Sequence, residues 1–208
     1  MDKRIPEETI TRLSYYLRAL AYFRDEHRSI VSSRQLAQYL KITPHQLRRD
    51  LSYFGHFGKQ GVGYSCENLI DGIRKILGLD REHRACVVGF GNLGRALSSY
   101  RGFQDQGIII KAVFENDKSK INKTHKALKV YDLDTMEKVI REENIRIGII
   151  AVPKCSAENI AQRLYACGIR AILNLAPVKL NIDKECIIKE IDLSCQLAYL
   201  TYRLNLKA

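Results

Sequence analysis

One hexapeptide, Gly89-Phe-Gly-Asn-Leu-Gly94, constrains this chain more than any other feature. The apolar run Ala85-Cys-Val-Val88 leads into it, and the helix-like stretch Arg95 to Tyr100 leads out. A strand that turns through glycines into a helix is the grammar of a dinucleotide-binding Rossmann unit. Gly89 suits the tight turn, Gly91 lets backbone approach a pyrophosphate, and Gly94 lets the helix pack on its strand. The first N–H groups of that helix offer donors and positive dipole to phosphate. Phe90, Asn92 and Leu93 complete the loop. Glu115 ends the next apolar run, 21 residues after Gly94. An acid there hydrogen-bonds the adenosine ribose and disfavours a 2′-phosphate, which points to NAD(H) rather than NADP. The same turn also fits a Rossmann-like domain built for another nucleotide, coenzyme A included.

Strand–helix alternation continues behind the hexapeptide. Strands are predicted at 85–89, 108–114, 129–131, 146–152, 171–174 and 187–191, and helices at 92–102, 134–143 and 156–167. That pattern predicts an α/β domain with a parallel sheet. It ends in an apolar helix, 193–206, carrying Leu193, Leu197, Tyr199, Leu200 and Leu204.

Residues 1–80 read differently. Ile10, Leu13, Leu17, Leu20 and Ala21 fall at helical spacing over 7–25. Ser32-Ser-Arg-Gln35 reads as a capping box ahead of Leu36, Ala37 and Leu40. After a turn at Lys41-Ile42, Thr43 reads as an N-cap with Pro44 at the first helical position. The helix that follows places Leu47, Leu51 and Phe54 on one face. His45, Arg49 and Ser52 face away, with Gln46, Arg48 and Tyr53 on the flanks. Residues 33–54 thus predict a helix-turn-helix. Arg48, Arg49 and Gln46 are types that read guanine and adenine edges. Two core helices with a solvated basic face would give the same periodicity. Next come four glycines in nine positions, Gly55, Gly58, Gly61 and Gly63. A turn-rich ribbon carrying Lys59 suits a wing against phosphate or minor groove, with a further helix over 67–77. Residues 79–83 read as a linker. The expected domains are 1–80, 84–192 and a tail helix over 193–208.

The formal charge of +11 permits an anionic partner. It does not locate one, since residues 1–80 carry 13 Lys and Arg against 9 Asp and Glu, and residues 81–208 carry 21 against 14. No window approaches the ~20 apolar residues of a membrane span, and the N-terminus lacks a signal-peptide core. A cytoplasmic location is expected. The six cysteines and five histidines show no metal spacing. No nucleophile–base order or acid–base pair suggests catalysis. A small NAD-dependent oxidoreductase, its N-terminal part shaping a substrate pocket, would need such a group.

Several longer stretches now carry weight together. They are Arg12-Leu-Ser-Tyr-Tyr-Leu-Arg18, Ser32-Ser33, Gln46-Leu-Arg-Arg-Asp-Leu-Ser-Tyr-Phe-Gly55 and Gly61-Val-Gly-Tyr64. Behind Gly89–Gly94 follow Ala151-Val-Pro153, Gly168-Ile-Arg-Ala-Ile-Leu-Asn-Leu-Ala-Pro177 and Ile191-Asp-Leu193. In these stretches and their order the chain resembles the Rex family of redox-sensing transcriptional repressors over essentially its whole length. The resemblance implies a homodimer, held through the Rossmann domains and a C-terminal helix swapped between partners. Each subunit has an N-terminal winged helix. The dimer binds A·T-rich inverted-repeat operators in double-stranded DNA and is released by NADH. It implies nucleotide contacts, for NADH and NAD as sensed ligands, from Gly89–Gly94, Tyr100, Glu115, Ala151, Val152, Pro153, Asn174, Leu175, Ala176 and Pro177. DNA contacts are implied from Ser33, Arg34, Thr43, His45, Gln46, Arg48, Arg49, Ser52, Tyr53, Lys59 and Gln60. Arg18, Tyr100 and Asp192 align with a switch: the aspartate pairs with the arginine of the other subunit in the DNA-binding form and turns to the tyrosine in the NADH form.

The chain departs from the family pattern at four places. Gln60 stands where the wing usually carries Arg, whose charge suits a narrow minor groove. Glu115 stands for Asp, Leu175 for Phe, and Glu158 for Gln. The last two are expected near the nicotinamide pocket, which leaves open a family member with altered nucleotide sensing.

Overall fold

The computed structural model describes residues 5–59, 61–183 and 185–206. It divides into two compact units, residues 1–81 and 82–208.

In the first unit α1 (Glu7–Asp25) is followed by β1 (Ile30–Val31), α2 (Ser33–Leu40), α3 (Pro44–Ser52), β2 (Tyr64–Ser65) and α4 (Cys66–Ile76). The predicted caps form. Ser32 accepts from the Gln35 N–H while Gln35 reaches back to the Ser32 N–H, and the Thr43 hydroxyl accepts from the Gln46 N–H. Between α2 and α3, Lys41 takes a left-handed conformation at φ +55°, so the chain turns within two residues. Leu13, Leu17, Leu20 and Phe23 of α1 bury against Leu36, Leu47, Leu51, Leu69 and Ile73. β1 pairs antiparallel with β2, and the chain between α3 and β2 folds back through reciprocal Lys59–Gly63 backbone bonds of 3.1 Å. This is a helix-turn-helix with a wing. The sequence reading missed β1, whose two residues are too few to show a period.

The second unit runs β3 (His83–Val88), α5 (Asn92–Ser98), α6 (Arg101–Gln104), β4 (Ile108–Glu115), β5 (Thr124–His125), β6 (Leu128–Asp132), a 3₁₀ turn (Leu133–Thr135), α7 (Met136–Glu142), β7 (Ile147–Ile150), α8 (Lys154–Ala166), β8 (Ala171–Asn174), β9 (Ile187–Glu190) and α9 (Leu193–Asn205). The sheet order is β5-β6-β4-β3-β7-β8-β9, and every pairing but β5–β6 is parallel. Leaving out the short antiparallel β5, this is the doubly wound order 3-2-1-4-5-6 of a Rossmann fold. Successive β3 residues serve two cores. Cys86 and Val88 pack with Met136, Ile140, Ile160 and Leu164 of α7 and α8, while Ala85 and Val87 pack with Phe90, Leu97 and Phe103. Helices on both faces explain why the strand is an unbroken apolar run rather than an alternating one.

The structure corrects two sequence expectations. β3 begins at His83, inside the stretch read as a linker. The predicted helix 92–102 is two helices, because Ser99 leaves helical geometry and Tyr100 is extended. α9 forms as expected, and Leu193, Leu197, Leu200 and Leu204 on it are each more than half exposed.

Candidate functional site

The nucleotide cleft lies where the strand order reverses, at the carboxyl ends of β3 and β7. It encloses about 570 Å³ and is lined by Gly89, Gly91, Glu115, Ala151, Val152, Pro153 and, beyond the predicted set, Asp117, Lys118, Lys120, Ser156 and Arg163. Two backbone bonds close its floor, from the Gly89 N–H to the Phe114 carbonyl and from the Ala151 N–H to the Val88 carbonyl. Gly89 sits at φ +99°, and a Cβ there would lie 2.5 Å from the Ala151 carbonyl oxygen. A Cβ on Gly94 would overlap the Gly89 carbonyl. Nothing stands within 4 Å of the Cβ position of Gly91, which N-caps α5 without any side-chain cap. An open glycine before an uncapped helix start leaves room for a pyrophosphate at the N–H groups, so the cleft fits a dinucleotide.

Glu115 is 7% exposed. One carboxylate oxygen accepts from the N–H groups of Asn116 (2.8 Å) and Asp117 (3.0 Å), the other from the N–H of Phe90 (2.8 Å), with the Lys120 ammonium 4.0 Å away. Burial pushes its pKa up, but the three N–H donors and the Lys120 charge outweigh that and hold the carboxyl below its ordinary value. Its longer side chain thus does something the ribose reading did not anticipate: it ties the glycine loop of β3 to the end of β4.

The other nucleotide candidates divide. Phe90 is buried, with the Arg95 guanidinium 5.1 Å above its ring, and acts as a loop anchor. Asn92 and Leu93 are exposed on the first turn of α5. Asn174 is fully buried, donating to the Val178 carbonyl (2.7 Å) and accepting from the Ala176 N–H (3.0 Å). It shapes the loop of Leu175, Ala176 and Pro177 after β8, and these four do not line the cleft. Glu158, expected near the nicotinamide, instead accepts the Asn181 N–H at 3.1 Å. Tyr100 is exposed beside Phe103 and lies outside the cleft. Asp192 caps α9, accepting from the N–H groups of Ser194 (2.8 Å) and Cys195 (3.4 Å). Arg18 stands exposed on α1.

In the first unit a groove of about 590 Å³ runs between the start of α2, α3 and the wing. Ser33, Arg48 and Lys59 of the predicted DNA set line it, joined by His56 and Val62, which the sequence reading passed over. The Arg48 guanidinium donates to the Ser33 hydroxyl at 3.1 Å, which links the middle of α3 to the start of α2. Arg34, Thr43, His45, Arg49 and Ser52 are exposed, and Tyr53 is half-buried. Gln46 is half-buried and donates to Asp50 at 2.8 Å. Gln60 lies outside the described residues.

Residues 4–52 match a family model described as "Putative DNA-binding protein N-terminus", and residues 80–178 match the CoA binding domain. The chain is 45% identical to the redox-sensing transcriptional repressor Rex of Carboxydothermus hydrogenoformans, over 97% of each chain. It is 42% identical to Rex 1 of Thermotoga maritima, over 98% of each. The chain belongs to the Rex family of redox-sensing transcriptional repressors. A Rex-family repressor solved with β-NAD⁺ and operator DNA superposes with a TM-score of 0.93 at 35% identity, covering 99% of this chain and 95% of that one. The same repressor with β-NADH gives 0.90 at 33% identity, covering 99% and 97%. Both units of this Rex-family chain therefore share the fold of a solved repressor. Among its described residues, no helix is long and apolar enough to cross a membrane.

Proposed function

We infer that this chain is an NADH- and NAD-responsive DNA-binding repressor and not an enzyme. The observation that carries the reading is that one chain joins a winged helix to a Rossmann cleft and matches, over nearly its full length, a repressor solved with β-NAD⁺ and operator DNA. It acts in the cytoplasm as a homodimer, held by its Rossmann units and by exchange of α9. The exposed leucines of α9 support that exchange, since apolar surface on this scale calls for a partner. Two recognition helices, α3 of each subunit, then meet an A·T-rich palindrome about one DNA turn apart or a multiple of it. Arg49 reads a base edge, and Ser33, Arg48 and Lys59 hold phosphate.

The nucleotide is a ligand that is sensed, not consumed. Gly89, Gly91 and the start of α5 hold the pyrophosphate, Glu115 orders the loop and faces the ribose, and Ala151–Pro153 lie along the nicotinamide side. NADH supplies a redox-dependent charge difference at the nicotinamide. It releases DNA only by its differential affinity for two dimer forms, so operator DNA weakens NADH binding by the same factor. Arg18, Tyr100 and Asp192 are the switch: Asp192 keeps one carboxylate oxygen on the α9 cap and offers the other to Arg18 of the partner or to Tyr100.

Electrophoretic mobility on an A·T-rich palindrome, with and without NADH at one stated salt concentration, tests this. A shift that NADH reverses is expected; an intact dimer that gives no shift at moderate salt refutes the reading. The match to the CoA binding domain favours a second reading, a coenzyme A sensor on the same scaffold. Coenzyme A that displaces NADH and releases operator at lower concentration would establish it.

A further inference from the structure

The first unit contains a buried polar cluster centred on a carboxylate that neither the nucleotide nor the DNA reading uses. Asp50, on α3, is 1% exposed. Its carboxylate accepts from Arg12 Nε (2.6 Å) and Nη2 (2.9 Å), the Tyr16 hydroxyl (2.6 Å), the Thr9 hydroxyl (3.2 Å) and Gln46 Nε2 (2.8 Å). Arg12, Tyr16 and Thr9 all lie on α1. Burial pushes the Asp50 carboxyl up, but hydrogen bonds from Arg12, Tyr16 and Gln46 and the charge of Arg12 outweigh it and hold it below its ordinary value. The group is therefore a carboxylate, a pure acceptor. Gln46 must then present its N–H side to Asp50, toward α1. His45, Arg49 and Ser52 occupy the exposed side of the same helix. The Arg49 guanidinium has no hydrogen bond or ion pair among the described residues.

The recognition helix has nine residues, and its apolar anchors are Leu47 and Leu51. Two leucines press a short helix onto a core without fixing its rotation. A base contact needs its side chain held to about 0.5 Å and 10–20°. Five directional bonds to one carboxylate, four of them from α1, supply what the leucines lack.

We propose that Asp50 is the positioning residue for DNA reading: it locks the rotation of α3 against α1, and Gln46 acts through it rather than on a base. Arg49, with His45 and Ser52, then carries the sequence readout. The proposal rests on the assignment of α3 as a recognition helix.

The test uses the full-length dimer and the variants Tyr16→Phe, Gln46→Ala and Asp50→Asn. Affinity for operator, for single-base-pair operator variants and for random DNA is measured well below each variant's melting temperature. NADH titration checks the second unit. Tyr16→Phe and Gln46→Ala each lose about tenfold in operator affinity, the worth of one charge-assisted hydrogen bond. Asp50→Asn loses more, all three keep the wild-type ranking of bases at every position, and NADH affinity is unchanged. A cluster that serves stability alone lowers the melting temperature but leaves the operator affinity of folded Tyr16→Phe and Gln46→Ala at the wild-type value, which overturns the proposal. Selective loss of discrimination at one base pair in Gln46→Ala also overturns it, by making Gln46 a reader. Wild-type protein that fails to bind operator at all removes instead the recognition-helix assignment beneath it.

Discussion

Replacing Glu115 by Gln separates two jobs that one side chain does. The carboxylate accepts three backbone N–H groups, two on one oxygen and one, from Phe90, on the other. A glutamine of the same length keeps its carbonyl oxygen under Asn116 and Asp117, but its NH₂ then faces the Phe90 N–H, donor against donor. A buried N–H without acceptor costs about 1–3 kcal/mol, and the two surviving bonds lose about 1 kcal/mol between them as charged acceptor becomes neutral. The glycine loop is thus loosened by roughly 2–4 kcal/mol, and a dinucleotide must supply that ordering when it binds. NADH affinity should fall about 30-fold or more, since 1.4 kcal/mol is a factor of ten. The assay is NADH fluorescence titration of Glu115→Gln, with NADPH run alongside. If Glu115 orders the loop, both nucleotides weaken together. If it serves only as a ribose acceptor, NADPH gains on NADH because a repelling charge has gone. Operator binding of the nucleotide-free variant should match wild type. NADH affinity within threefold of wild type would refute the loop argument outright.

Three further outcomes follow from the same geometry. Asp192→Ser keeps a hydroxyl that can cap α9 but removes the charge, whereas Asp192→Ala removes both; if the switch assignment holds, both lose NADH-driven release of operator, and a serine variant that releases at wild-type NADH concentration would show that only the cap matters. Arg49→Ala should cost about 1–3 kcal/mol on operator and relax preference at one base pair; equal losses on operator and random DNA would make Arg49 a phosphate contact. Asp50 has a folded pKa below its unfolded value of about 3.9, so its stabilising contribution is complete above that pH and fades as the pH falls through the lower folded value; urea midpoints of wild type and Asp50→Asn should differ most near neutrality and converge in acid, and a constant gap down to pH 2 would contradict the linkage.

Much of this architecture was legible because it rests on local chemistry. Caps need particular residues at fixed offsets, and Ser32–Gln35 and Thr43–Pro44 met the rule. The hexapeptide was legible for the same reason, since Gly89 and Gly94 each relieve a clash within their own turn. Structure that depends on distant partners stayed hidden. β1 exists because Ile30 and Val31 meet Ser65 and Tyr64, 33 to 35 positions on, and no periodicity shows in two residues. Asn174 reads as a polar strand end, but its amide is spent on the turn that follows.

The Asp50 cluster lies between these cases, and its signal was present. Leu47, Leu51 and Phe54 share one helix face by their spacing, and Asp50 falls on that face three residues after Leu47. Tyr16 likewise sits inside the α1 stripe of Leu13, Leu17 and Leu20. A carboxylate in an apolar stripe has only two stable outcomes: it loses its charge, or it finds donors nearby. Here Arg12 and Tyr16 were the available donors on the facing helix. The functional consequence also follows from energetics. An apolar residue at position 50 could bury as well, but it would let a nine-residue helix rock on its leucines. A charge that must meet Arg12, Tyr16, Thr9 and Gln46 together tolerates one orientation. If the proposed switch and the proposed role of Asp50 both hold, that single orientation lets the switch act on a rigid body, so the nucleotide's differential affinity goes into release rather than into loosening the reader.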